Sequence, residues 1–295
     1  MLLARRVGAA LVLLLVIAAV TSASERQNRV EGTSLLPAAT VPETIPPAKV
    51  APALFKAASV KKPERCLEAS RLELAKGFAS HRSGSVAFAF LDECGRLVGE
   101  HRNRVYTSAS VVKAMLLVAY LRSGDVPERD LSGAERDLLG RMIEQSDNGA
   151  ANSVFAAVGE VGLNEVAEVA GMRRFQSSPS WGSSGITAAD QALFLGRVER
   201  YVPKRHEAFV LNRLASVIDS QRWGIPEVTP RGWRVHFKGG WYPASDGWRV
   251  NQVAALRLGR RGFALAVLTD ANPSFVHGKE TVAGVAERLM GGYAR

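Results

Sequence analysis

Ser110 and Lys113 stand three positions apart, just ahead of an apolar run at 114–121 (Ala-Met-Leu-Leu-Val-Ala-Tyr-Leu). On a helix that spacing puts both side chains on one face. A helix that is apolar all round is buried. Burial lowers the pKa of a lysine, and a neutral amine can take the proton of a hydroxyl. Ser110 would sit at a helix start, where the dipole favours developing negative charge. The pair therefore has the makings of a nucleophile and its base within one turn. It equally suits an N-cap serine followed by a snorkelling lysine, and about one such pair arises by chance in a chain of this length.

Two further clusters carry similar chemistry. Ser146-Asp147-Asn148 lies between two helical patterns. There a serine could relay a proton and an asparagine could orient both a lysine and a substrate amide, although helix capping uses the same residues. Lys238-Gly239-Gly240 ends an apolar-alternating segment at 234–237. Paired glycines let a ligand backbone approach a strand edge, and a lysine beside them can hold a carboxylate. A plain strand end with a solvated lysine would read the same way.

These residues need elements to position them. Strand patterns fall at 85–91, 97–102, 234–238, 248–258 and 262–269, with turns at Asp92-Glu93-Cys94-Gly95, Asp246-Gly247 and Arg260-Arg261-Gly262. Helical periodicity covers 64–79, 111–121, 134–145, 149–158, 164–170, 187–201, 206–221 and 278–290. Strands come first, helices follow, and three strands and a helix close the chain. The order predicts an α+β fold. Its antiparallel sheet of about five strands is flanked by the N- and C-terminal helices, beside a mainly helical lobe inserted at about 105–221.

Composition narrows the function. The chain has 295 residues, 47% hydrophobic and 22% charged, which excludes disordered, collagen-like and coiled-coil classes. Aromatics are 7% and no basic run is interleaved with rings, so the net charge of +10 is a poor argument for nucleic acid. Residues 1–23 read as an export signal, with Arg5 and Arg6 before an apolar core and Thr21-Ser22-Ala23 at the exit. An uncleaved anchor is the alternative and the only membrane attachment expected. Pro37, Pro42, Pro46, Pro47 and Pro52 mark 24–62 as a linker, leaving 63–295 as the folded domain. The expected location is secreted or attached to the cell envelope. In an exported chain Cys66 and Cys94 suggest a disulfide contributing ~3 kcal/mol, with two free thiols as the other possibility. His81, His101, His206, His236 and His277 are scattered without ligand spacing, so no metal is expected. No Gly-x-Ser-x-Gly elbow or Walker loop is present either.

Each cluster alone is modest. In this order, the three resemble the motifs of serine β-lactamases and penicillin-binding proteins, and are most similar to class A β-lactamases. The resemblance covers about 64–295. It implies that Ser110 is acylated and that Lys113 is its base, directly or through relays. Ser146 would pass a proton to the leaving nitrogen. Asn148 would hold Lys113 and the acyl side-chain amide, and Lys238 would attract the substrate carboxylate. The backbone N–H groups of Ser110 and Trp241 would form the oxyanion hole, beside Gly239 and Gly240. No cofactor is implied; the partner is a small β-lactam or peptidoglycan-derived molecule, and the protein would be a monomer.

The chain also departs from that family. Gly239 replaces the usual threonine, and Ser110 and Ser146 are only 36 positions apart, which suggests a trimmed lobe. The loop at 173–185 (Arg-Arg-Phe-Gln-Ser-Ser-Pro-Ser-Trp-Gly-Ser-Ser-Gly) contains no Asp or Glu, whereas the family's loop supplies a glutamate that activates the deacylating water. General-base assistance of roughly 10²–10⁴ is thus missing from turnover. The expectation is a serine acyl hydrolase with slow deacylation. A D-alanyl peptidase or esterase of the same mechanism, or a non-catalytic binding module on the same fold, are the alternatives. His236 could line the cleft or simply pack, and Trp223 and Trp241 could form a substrate wall or belong to the core.

Overall fold

The computed structural model describes residues 66–293; the expected signal at 1–23 and the whole of the expected linker at 24–62 lie outside them. Chain order is α1 (Ala69–Ser80), β1 (Ser85–Leu91), β2 (Leu97–Glu100), β3 (Val105–Thr107), α2 (Lys113–Arg122), α3 (Gly133–Gly140) and α4 (Asn148–Val169). Then come β4 (Gly185–Thr187), α5 (Ala188–Gly196), α6 (Glu207–Ala215), β5 (Arg234–Ala244), β6 (Gly247–Leu258), β7 (Arg261–Asn272) and α7 (Phe275–Met290). The main sheet is antiparallel, in the order β2-β1-β7-β6-β5. The expected α+β architecture, a five-stranded sheet built from both chain ends around a helical insertion, is what the chain adopts.

The sheet separates two apolar cores, and strand alternation explains why. Phe88 and Phe90 of β1, with Leu265 and Val267 of β7, face the core shared with α1 and α7. Ala87, Ala89, Ala264 and Ala266 face the helical lobe. Their small side chains let α5 lie close, and a Cβ on Gly196 would come within 2.9 Å of the Ala264 methyl. α2 is buried on nearly every side, as an all-round apolar helix must be.

Several elements differ from the pattern in the sequence. α1 starts at Ala69, because Cys66 is bonded to Cys94 and the Leu67 N–H donates to Asp92 Oδ2 at 3.1 Å, which pins the chain before helix can form. α4 is broken at Gly159 (φ 60°, ψ −167°), so the helices expected at 149–158 and 164–170 lie on either side of that break, as the sequence pattern has them. The segment 187–201 opens with Thr187 in β4, paired to β3, and that threonine's hydroxyl then caps α5 by accepting from the Asp190 N–H. The β3–β4 pair has three residues on each strand, too few for a periodic signal.

Candidate active site

Ser110 lies in a single 3₁₀ turn (Ala109–Val112) that runs straight into α2, whose first residue is Lys113. The turn is held from three sides. Asn251 of β6 donates to the Thr107 carbonyl at 2.8 Å, and the Ser108 N–H donates to the Ser184 carbonyl at 2.8 Å. Gly240 of β5 presses on it from the third side, and a Cβ there would lie 2.6 Å from Ser110 N and 2.8 Å from Val111 N. A glycine at this position is therefore a packing requirement. Ala109 takes a left-handed φ of 48° where the chain enters the turn.

Ser146 is delivered by a different device. After α3 the helix widens into a π-helical turn, Arg141–Gln145, and stops at Ser146 in the left-handed region (φ 57°, ψ 32°). Carbonyls left unpaired by the widening find partners in the segment after α6. The Ile218 N–H donates to Glu144 O at 3.1 Å, and Gln221 Nε2 donates to Gln145 O at 2.8 Å. Arg213 pairs with the Glu144 carboxylate at 2.7 Å. Asp147 then caps α4 through the Ala150 N–H (3.0 Å), which puts Asn148 at the first helical position.

These supports converge on one polar cluster. Lys113 has no exposed surface. Its Nζ lies 2.6 Å from the Ser146 carbonyl, 2.7 Å from Asn148 Oδ1 and 3.2 Å from Ser146 Oγ. Lys238, also fully buried, donates to Ser146 Oγ at 3.0 Å and to the Gly239 carbonyl at 2.9 Å. Burial pushes the Lys113 amine down to about 8, although Asp147 pulls it partly back. Burial and the neighbouring charge of Lys113 push Lys238 well below the ordinary range. Two amines on one hydroxyl cannot both stay charged cheaply.

In front of the cluster is a cleft of ≈ 440 Å³. Ser110, Asn148 and Asn152 line it together with Trp181 and Gly182 of the loop and Trp241 and Tyr242 of β5. The sequence-derived residues Ser110, Lys113, Ser146, Asn148, Lys238, Gly239, Gly240 and Trp241 are thus brought into one region. Lys238 stands behind Ser146 rather than on the cleft wall. Gly239 faces the other side of β5, where its missing side chain would meet Trp223 at 3.2 Å. Trp223 is core, edge-on beneath Trp241 at 5.7 Å, whereas Trp241 is wall. His236 is buried and does not reach the cleft; burial lowers its pKa. Cys66 and Cys94 form a disulfide between the start of the described chain and the β1–β2 turn. Among the described residues no group of three or more His, Cys, Asp or Glu could hold a metal. Asn152, Trp181 and Tyr242 escaped the sequence reading, although Asn152 follows Asn148 by four on a helix and so shares its face.

A five-stranded sheet drawn from both ends of the described chain, with a helical insertion between its strands, is the architecture of the serine β-lactamase superfamily. The model of the beta-lactamase enzyme family matches residues 134–292, over half of the sequence, and the chain belongs to that family. The match includes Ser146, Asn148 and Lys238 and begins beyond Ser110 and Lys113. Similar solved structures include the β-lactamase of Sphaerobacter thermophilus, at 21% identity and TM-score 0.66 over 77% of this chain and 98% of that one. The class A β-lactamase of Mycobacterium abscessus is similar at 17% and 0.64 over 76% and 100%. A β-lactamase from Xanthomonas campestris is similar at 19% and 0.64 over 74% and 96%. At these identities the likeness is one of fold. No curated protein sequence matches the chain.

Proposed function

We propose that the protein is a serine acyl hydrolase that forms an acyl-Ser110 intermediate with β-lactams or related amides and releases it slowly. The observation that carries this reading is the fully buried Lys113 amine, placed between Ser146 and Asn148 one turn from Ser110, with its pKa lowered to about 8. When Lys113 is neutral, its two N–H groups satisfy Ser146 O and Asn148 Oδ1. Its lone pair is then left for a proton from Ser110, directly or through Ser146.

Ser110 Oγ attacks the carbonyl carbon while its proton moves to the amine. The oxyanion forms between the N–H groups of Ser110 and Trp241, where loss of one donor costs about 10²–10³ in rate. The carbon–nitrogen bond breaks as Ser146 passes a proton to the leaving nitrogen. A substrate carboxylate favours charge on Lys238, and that charge in turn favours the neutral form of Lys113. The acylation rate should therefore rise with pH, with a midpoint near 8. Read from the sequence, the signal at 1–23 would place this activity outside the cytoplasm, secreted or held at the envelope.

The acid-free loop at 173–185 favours one second reading, a peptidase-like enzyme whose acyl group comes from a D-alanyl peptide. Intact-mass analysis after mixing with a penicillin tests the first reading. A single adduct should appear, decay over time, and be absent from Ser110→Ala. A wild-type protein that never gains mass would refute β-lactam recognition. Release of D-alanine from muropeptides, measured by mass spectrometry, would then support the second reading, and a Ser110 inert to every acylating probe would leave only a binding module.

A further inference from the structure

The cleft's loop wall presents an indole to the buried amine. The Trp181 ring centroid lies 4.8 Å from Lys113 Nζ, and the ring Nε1–H donates to Asn152 Oδ1 at 2.8 Å. The loop backbone around it is tied down at both ends. Ser108 Oγ donates to the Gly182 carbonyl at 3.2 Å, and the Ser108 N–H donates to Ser184 O at 2.8 Å. Upstream, the N–H groups of Arg173 and Arg174 both donate to the Asp190 carboxylate at 3.2 Å. The ring thus has a fixed place, beside the base and along the same wall as Ser110.

We propose that Trp181 is a positioning residue that covers the loop side of Lys113 and keeps water from acyl-Ser110, so that the covalent adduct persists. This rests on the acyl-enzyme reading above. Hydrolysis needs a water oxygen to bond to the acyl carbon while its proton goes to an amine. The carbon–oxygen bond to Ser110 must then break, with a proton returned to Ser110 Oγ. With an acyl group on Ser110 occupying the open side of the cleft, the remaining approach for water would run along the loop wall, where the indole lies. The loop thus both lacks an acid and covers the Lys113 amine.

The test compares Trp181→Ala and Trp181→Phe with wild type. Acylation by a penicillin and decay of the adduct are followed separately by intact mass. Trp181→Ala should shorten the adduct lifetime at least ~10-fold while acylation changes much less, and Trp181→Phe, which keeps a ring over the amine, should preserve the long lifetime. In the free protein, acetic anhydride should modify Lys113 several-fold faster in Trp181→Ala, read at peptide level. Should Trp181→Ala fail to fold, Asn152→Ala, which releases the ring from its hydrogen bond, should shorten the lifetime in the same direction. An adduct on wild type whose lifetime is the same in both alanine variants overturns the shield and leaves the acyl-enzyme reading intact. If wild type forms no adduct, that reading falls, and an unchanged Lys113 modification rate removes the shield as well.

Discussion

The cleft has a strand-and-helix side and a loop side, and they treat polar groups differently. On the first, Lys113, Lys238, Ser146 and Asn148 satisfy one another within 3.2 Å, and both lysines are sealed from water. On the second, the loop at 173–185 supplies aromatic surface, backbone carbonyls and serines, but no carboxylate. Forming an acyl-enzyme requires the first set of groups; hydrolysing it requires a base and a water that the second side does not present. The contrast teaches that one fold can gather a dense polar cluster on one side of a cleft while the loop opposite stays free of acid; on the proposed function, that loop would set how long the acyl group lasts.

The largest effect should come from the glycine that joins β5 to the Ser110 turn. A Cβ on Gly240 would strike the backbone nitrogens of Ser110 and Val111, neither of which can swing aside. Gly240→Ala should lower the acylation rate by about 10²-fold, since a shift of order 1 Å at the reacting groups costs that much. Gly239→Ala should cost less than about fivefold, because its Cβ would meet only the rim of the Trp223 ring at 3.2 Å. Stopped-flow acylation of the two variants measures the difference, and equal losses would mean that β5 does not set the nucleophile's position.

A second, smaller effect concerns stability. Lys113 is depressed to about 8 in the folded protein, whereas an unfolded lysine titrates near 10.5. Below pH 8 both states hold the proton and the term is flat. Between 8 and 10.5 the unfolded chain binds the proton and the folded one does not, so stability rises with pH. At 1.36 kcal/mol per unit the rise is about 3 kcal/mol. Denaturant unfolding across that window should show it in wild type on top of the slope that the depressed Lys238 amine also contributes, and Lys113→Met should remove the Lys113 share and leave a shallower slope. Identical pH slopes in the two proteins would mean that the amine is solvated and the site more open than it looks.

Much of this was legible in the sequence, and what was missed has identifiable causes. β1 reads correctly at 85–91 because a run of small and aromatic apolar residues is buried on both faces. The Ser110, Ser146 and Lys238 clusters could be found because each is contiguous and their order along the chain is distinctive. The π-helical turn before Ser146 could not, because it depends on carbonyl partners at Ile218 and Gln221, over 70 residues further on. Trp181 was lost for a related reason: its place is set by the fold, with the ring over Lys113, and no local pattern encodes that. Gly239 was read as a substrate-side glycine and as a missing hydroxyl, whereas in the fold its side of β5 belongs to the Trp223 core.

The smallest predicted effect separates the chemistry of Ser146 from its backbone. Its left-handed conformation costs an L-residue roughly 1–2 kcal/mol. That cost falls on the residue whose hydroxyl lies between the two lysines, which is where strain is expected to be tolerated. Ser146→Ala and Ser146→Gly both remove the hydroxyl, so both should slow acylation to a similar degree, which leaves their stabilities as the quantity that separates them. Only glycine accepts the left-handed angles without strain. The glycine variant should therefore be about 1 kcal/mol more stable than the alanine variant, measured by denaturant unfolding at a pH below 8, where the lysine term is flat. A less stable glycine variant would show that the turn is held without strain. The distinction drawn above between a side built for chemistry at a cost in stability and a side built for closure would then have to rest on the buried lysines alone.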